Sequence, residues 1–218
     1  MLNISLLGPP ASGKGTQARI LVKHFGFFYL EMGGALRDLA WRKDDLGKKV
    51  GRIVNREGTL VPDSIVKLVL EDSFKKLKPK QGILIDGFPR VLSQIRLLNQ
   101  SFKEIGRRLD FVILLDLPEK EVLKRITNRV VCQKCGRIYS LSQETKKQCP
   151  ACGGRLVKRF DDTPAGIKKR LEVFRKETLP VINFYRREGI LRKVNGNQSV
   201  TKITERIAEI IKQSYDFD

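Results

Sequence analysis

Residues 2–25, LNISLLGPPASGKGTQARILVKHF, pass from an apolar run through a glycine-rich turn into a helical pattern. Leu2, Ile4, Leu6 and Leu7 supply a buried strand, and Gly8-Pro9-Pro10-Ala11-Ser12-Gly13-Lys14 fits the phosphate-binding spelling G-x-x-x-x-G-K. The chemistry needs these residue types. Glycines let backbone N–H groups turn inward around a phosphate, and the start of the following helix adds partial positive charge. Lys14 is a compact cation able to reach the outer phosphates. In the general motif the next residue is a Ser or Thr that meets magnesium; here it is Gly15, with Thr16 one step later. The competing reading is a tight strand-to-helix turn that binds nothing. Lys14 within the intact spelling favours a site for nucleotide phosphates.

Working outward, four more short apolar runs suit buried strands: Phe27-Phe28-Tyr29-Leu30, Gly82 to Asp86, Phe111 to Asp116, and Leu191 to Val194. Helical patterns separate them. Residues 33–57 are helical in texture with Asp44-Asp45 as an N-cap region, and a new helix resumes at Ile65. Others run through Ile95 to Ile105, from Pro118 to Arg129, from Thr163-Pro164 with an interruption at Pro180, and from Ser199 to Ser214. Strands alternating with helices predict an α/β fold around a parallel sheet with right-handed crossovers. Ligands then gather at the carboxyl ends of the strands, where Gly8, Asp86 and Asp116 fall.

At 218 residues the chain is one large domain, or one core carrying inserts, and it is long enough to bury a core unaided. The longest purely apolar run, Phe111 to Leu115, is far too short to span a bilayer, and no signal-like segment opens the sequence. A soluble, cytoplasmic protein is the expectation. The net charge of +19 exceeds what polyphosphate substrates require, leaving nucleic-acid affinity or a basic proteome as alternatives. His24 reads as a residue of the first helix's surface or packing, and Trp41 as a packing residue.

Two further constellations carry chemistry. Cys132-Gln-Lys-Cys135 and Cys149-Pro-Ala-Cys152 form two C-x-x-C knuckles, each followed by a glycine. Four thiolates describe a closed structural zinc site without an open catalytic position. Disulfides are the competing reading, disfavoured in a cytoplasmic chain. In Asp86-Gly87-Phe88-Pro89-Arg90, a carboxylate at a strand end can hold hydrated magnesium, and Arg90 beside it can fork onto a phosphate. Taken singly, Asp86 could be a cap and Arg90 a surface ion pair.

With these motifs nearly the whole chain resembles the adenylate kinase family, in its bacterial long form with a zinc-bearing lid. The resemblance implies a P-loop three-layer fold: a central parallel five-stranded sheet flanked by helices, plus two inserted lobes. The core would comprise 1–30, 62–126 and 161–218, the acceptor lobe 31–61 and the zinc lid 127–160. The implied reaction moves a phosphoryl group from ATP to AMP, giving two ADP, with Mg2+ beside ATP and structural Zn2+. The donor site would comprise Gly8, Pro10, Ala11, Ser12, Gly13, Lys14, Gly15, Thr16, Arg125 and Arg129. The acceptor site would comprise Met32, Arg37, Val61, Gly87, Arg90, Gln94, Arg159 and Arg170, with Gln94 reading adenine. Lys14, Arg90, Arg129, Arg159 and Arg170 would carry catalysis, and Asp86 would hold magnesium through water. Asp161-Asp162 matches the lid hinge. A monomer is implied, with nucleotides as partners and neither membrane nor nucleic acid.

The sequence departs from the family where Thr-Gly-Asp is usual before the Leu-Arg pair, having Met32-Gly33-Gly34, and where Val194-Asn195-Gly196 replaces a common aspartate. Three alternatives stay open on the residues alone: another nucleoside monophosphate as acceptor, a catalytically faded binder, or a basic zinc ribbon that binds nucleic acid. Against the last, Tyr139 and Phe160 are the only aromatics beside the knuckles, whereas single-strand binders use aromatic platforms.

Overall fold

The structure, a computed structural model, describes residues 1–53, 60–140, 148–158 and 162–215. Its centre is a five-stranded parallel sheet of β1 (Asn3–Leu7), β2 (Phe28–Glu31), β3 (Ile83–Asp86), β4 (Phe111–Asp116) and, last in the chain, β8 (Leu191–Asn195). Their spatial order is β2-β3-β1-β4-β8. Every residue of β1 is buried, as a strand covered on both faces requires.

The period of two sorts the strand side chains into layers. Ile4, Leu6, Leu84, Phe111, Ile113 and Leu115 point to one face, against Ala18 and Leu21 of α1 (Lys14–Phe25) and Ile203, Ile207 and Ile211 of α9 (Val200–Tyr215). Ile83 and Ile85 point to the other, against Val66, Val69 and Leu70 of α4 (Asp63–Phe74) and Leu98 and Phe102 of α5 (Leu92–Glu104). Val112 and Leu114 meet Val181, Ile182 and Tyr185 of α8 (Leu179–Arg187) on that same face. The result is helix, sheet, helix. Each fully buried Leu or Ile contributes about 1.5–3 kcal/mol, so the sheet interior dominates the stability.

β1 pairs with β3 on one side and β4 on the other, so the connections leave it in opposite directions. A crevice opens at the carboxyl end of such a strand, and the glycine-rich loop lies there.

Between β2 and α4 the expected helical stretch is two helices, α2 (Met32–Ala40) and α3 (Asp45–Arg52), of which the second is capped by the Asp44 carboxylate accepting from Gly47 N at 2.8 Å. Residues 54–59, the end of the expected helical stretch and the two residues after it, lie outside the described residues. Trp41 corrects the packing expectation: it stands one residue past α2 and is 86% exposed. Arg129 is a second correction. α6 (Glu119–Thr127) ends before it, and Arg129 opens β5 (Arg129–Cys132). β5 pairs antiparallel with β6 (Ile138–Ser140) and β7 (Leu156–Val157) in a small separate sheet. The interruption expected at Pro180 falls just ahead of it, as a π-helical turn over Phe174–Thr178 between α7 (Pro164–Val173) and α8. Proline lacks an N–H and crowds the carbonyl four residues back, and the wider turn absorbs both defects. Among the described residues no helix is long and apolar enough to cross a membrane.

Candidate functional site

The glycine-rich loop closes on itself at the end of β1. Gly8 has φ of 151°, and a Cβ there would stand 2.5 Å from the Leu115 carbonyl, so glycine is required by backbone and space alike. Lys14 begins α1 and folds back over the loop, its Nζ donating to the carbonyls of Gly8 and Pro9, each at 2.9 Å, and to Ser12 Oγ at 3.3 Å. Burial lowers its pKa to about 8; Arg90, Arg170 and Arg129 push the same way, and Asp86 opposes them.

Asp86 ends β3 and is 8% exposed. Burial raises its pKa; the Lys14 ammonium opposes that and Glu31 adds to it. The Tyr29 hydroxyl donates to its Oδ2 at 3.1 Å. A Cβ at Gly15 would lie 3.4 Å from that oxygen, so the glycine leaves space beside the carboxylate. A buried carboxylate with open volume and an adjoining phosphate loop is an oxygen-donor setting that fits a hard divalent cation.

Five arginines among the described residues converge on the same space. Arg129 is 7% exposed and grips Asp162 with two N–H groups, Nε at 2.8 Å and Nη2 on the other oxygen. Arg170 Nη1 donates to the same Asp162 at 2.9 Å. Arg90 is anchored by Nε to the Gly87 carbonyl at 3.0 Å, while its backbone N–H donates to Gln94 Oε1 at 2.9 Å. Arg37 Nη2 donates to Glu31 Oε1 at 2.7 Å. Arg125 Nη2 donates to the Gly196 carbonyl at 2.9 Å. Gly196 itself sits where a Cβ would come 2.9 Å from the Asp116 carbonyl, which accounts for a glycine there.

One cavity of about 690 Å³ collects these groups. Its walls include Gly8, Pro10, Ala11, Ser12, Gly13, Lys14, Gly15, Thr16, Asp86, Arg125 and Arg129, together with Met32, Arg37, Val61, Gly87, Arg90, Gln94 and Arg170. Arg159, Phe160 and Asp161 lie outside the described residues. Met32 belongs equally to the core, packed with Leu30 and Val66 and 3% exposed. Two participants escape sequence reasoning, and a third was read only as part of the lid hinge. Glu31 and Tyr29 are brought to Asp86 by the pairing of β2 with β3, and Asp162 serves as the shared partner of two arginines. A carboxylate at a strand end was the available signal for Glu31. Asp162 carried none beyond its place near the lid.

The four cysteine Sγ atoms lie within 4.8 Å of one another. Cys132 and Cys152 are 3.5 Å apart and Cys135 and Cys149 are 3.7 Å apart, near the ~3.8 Å edge of a tetrahedron with Zn–S bonds of about 2.3 Å. The same separations are far beyond a disulfide bond. The knuckles share one turn: Gly136 N donates to the Cys132 carbonyl and Gly153 N to that of Cys149, each at 2.9 Å. The Tyr139 hydroxyl, 3.2 Å from Cys149 Sγ, is the chief cause holding that thiol low, at about 6. The donor set fits a thiophilic structural ion.

The family profile described as adenylate kinase matches residues 6–190. The chain belongs to the adenylate kinase family. It is similar to the adenylate kinase of Kosmotoga olearia, 39% identical over 94% of this chain and 97% of the relative. It is likewise similar to those of Thermosipho africanus, 37% identical over 97% of this chain and the whole relative, and Archaeoglobus fulgidus, 35% identical over 97% and 99%. The adenylate kinase match runs from the end of β1 through α8 and so spans the glycine-rich loop, the arginines and the cysteine knuckles.

Proposed function

We propose that the chain catalyses reversible, magnesium-dependent transfer of the terminal phosphoryl group of ATP to AMP, giving two ADP. The observation that carries this reading is the single cavity shared by the glycine-rich loop, Asp86 and the arginines. An acceptor phosphate oxygen attacks the terminal phosphorus and the bond to the bridging oxygen of ADP breaks. The attacking oxygen is already anionic, so no general base is needed, and catalysis rests on positioning and charge. Lys14 and the loop N–H groups hold the donor phosphates, while Arg125 lies near the donor base. Arg37 and Arg90 grip the acceptor phosphate, and Arg129 and Arg170, with Arg159, neutralise charge developing on the transferred group. Gln94 keeps its Nε2 donors for the acceptor base, with Met32 and Val61 as apolar contacts. Magnesium bound with ATP supplies further charge neutralisation, and Asp86 would hold its hydration shell.

The same proposal assigns zinc to Cys132, Cys135, Cys149 and Cys152 as a structural ion, and takes 31–61 and 127–160 as lobes that close over the nucleotides. Location in the cytoplasm and action as a monomer complete it, as the family resemblance suggests. Turnover with AMP, CMP, UMP and GMP as acceptors tests the reading: AMP should be fastest, and a faster rate with CMP or UMP would overturn it. Elemental analysis of protein purified without added metal should find one zinc per chain.

A further inference from the structure

Glu31 ends β2 directly beside Asp86, its in-register partner across the β2–β3 pair, and lines the same cavity. Its carboxylate faces two cations. Oε1 accepts from Arg37 Nη2 at 2.7 Å, and Oε2 lies 4.0 Å from Arg19 Nη2. Arg19, on α1, also donates from Nη1 to the Gly136 carbonyl of the first cysteine knuckle at 3.0 Å. The glycines that follow Glu31 make room for this arrangement. A Cβ at Gly34 would stand 3.1 Å from Glu31 Cδ and 3.3 Å from Oε2. At Gly33 it would stand 3.3 Å from Arg37 Nη1 and 3.9 Å from Arg90 Nη2, so both guanidinium groups approach the same glycine. Two like charges that close repel each other until an anion lies between or beside them.

We propose that Glu31 is a positioning residue of the acceptor-phosphate site, acting through Arg37. Its carboxylate offsets the repulsion between Arg37 and Arg90 before substrate arrives. It fixes the Arg37 guanidinium by one nitrogen and leaves the remaining N–H groups for a phosphate. Arg19 links the same carboxylate to the cysteine lobe. Gly34 therefore leaves room for the carboxylate reaching in from position 31, and Gly33 for the two guanidinium groups. The inference rests on reading Arg37 and Arg90 as acceptor-phosphate ligands.

Steady-state kinetics of a mutant cycle tests it. The wild-type acceptor panel first settles the underlying reading by itself, and the fastest acceptor is then used throughout. Glu31→Gln should raise KM for the acceptor about tenfold, the scale of one charge-assisted hydrogen bond, while KM for ATP changes by less than about twofold. In an Arg37→Ala background, Glu31→Gln should add almost nothing, because its effect passes through Arg37. The double variant Glu31→Ala with Gly34→Asp should recover most of the lost acceptor affinity, since position 34 points at the vacated carboxylate. Thermal unfolding of each variant verifies that it is folded. An unchanged or lowered acceptor KM in Glu31→Gln would mean that the carboxylate is idle or competes with phosphate for Arg37, and either overturns the proposal. Equal rises in both KM values with a lowered Tm, additive effects with Arg37→Ala, or a folded double variant without recovery would do the same.

Discussion

Arg129 and Arg170 are held differently from Arg37, although all three line one cavity. The first two share the carboxylate of Asp162, whose side chain is 1% exposed, while Arg37 leans on Glu31, whose side chain is 34% exposed. A buried ion pair carries a large desolvation cost that excellent geometry must offset, and removing one partner is correspondingly damaging. A partly exposed pair is cheap to rearrange. The contrast separates a rigidly held arginine pair from an arginine that keeps its carboxylate contact yet has room to shift as a phosphate enters. It suits a site where the transferred group needs fixed charge and the acceptor must enter and leave.

The strongest way to break this comparison is to remove Arg129 from the buried pair and, on the other side, Arg90, which meets Arg37 beside Gly33. Arg129→Ala and Arg90→Ala should each lower kcat by about 10³-fold, the scale of arginine contacts in phosphoryl transfer. Stability should distinguish them: Arg129→Ala takes two hydrogen bonds from the buried Asp162, leaving it Arg170 as counter-ion, and lowers Tm, whereas Arg90→Ala leaves Tm close to wild type. Near-normal turnover in either variant contradicts its assigned role.

Asp162→Asn tests the rigid half alone. Leaving Arg129 buried without its counter-ion should cost about 3 kcal/mol by denaturant unfolding. Glu31→Gln, with solvent at both partners, should cost under about 1 kcal/mol. Similar losses from the two would erase the distinction.

A smaller effect comes from pH. Lys14 has its pKa lowered to about 8 by burial and neighbouring arginines. It is protonated below that value and loses its charge as pH rises through it, so kcat/KM for ATP should fall roughly tenfold per pH unit above about 8. Bound phosphates favour the charged form, so kcat should stay flat over that window. A decline in kcat with constant kcat/KM would point to another group.

The smallest effect expected is at Trp41. At 86% exposure, Trp41→Ala should change stability by no more than about 0.5 kcal/mol. A large loss would restore the packing role that its apolar bulk suggested.

These contrasts follow how far each feature was legible in the sequence. The sheet, the loop and the knuckles were readable because their signals are local: apolar runs of strand length, fixed glycine spacing, paired cysteines. The five strands match expectation to within a residue or two at their ends. Partnerships across the fold were not readable. Asp162 lies 33 residues from Arg129, and Tyr29 lies 57 from Asp86. Only strand order brings the latter pair together. Gly34 looked like the loss of an aspartate until the structure put the Glu31 carboxylate beside it. Trp41 and Arg129 were misplaced for one reason: hydrophobicity and helical pattern say little about where a helix stops.

The central claim is that one cavity holds both nucleotides with their phosphates facing each other. Calorimetric titration with an analogue joining two adenosines through five phosphates, paired with inhibition kinetics, tests it most directly. One analogue should bind per chain, competitive with ATP and with AMP alike. Two analogues bound per chain, or competition with one substrate alone, would contradict it.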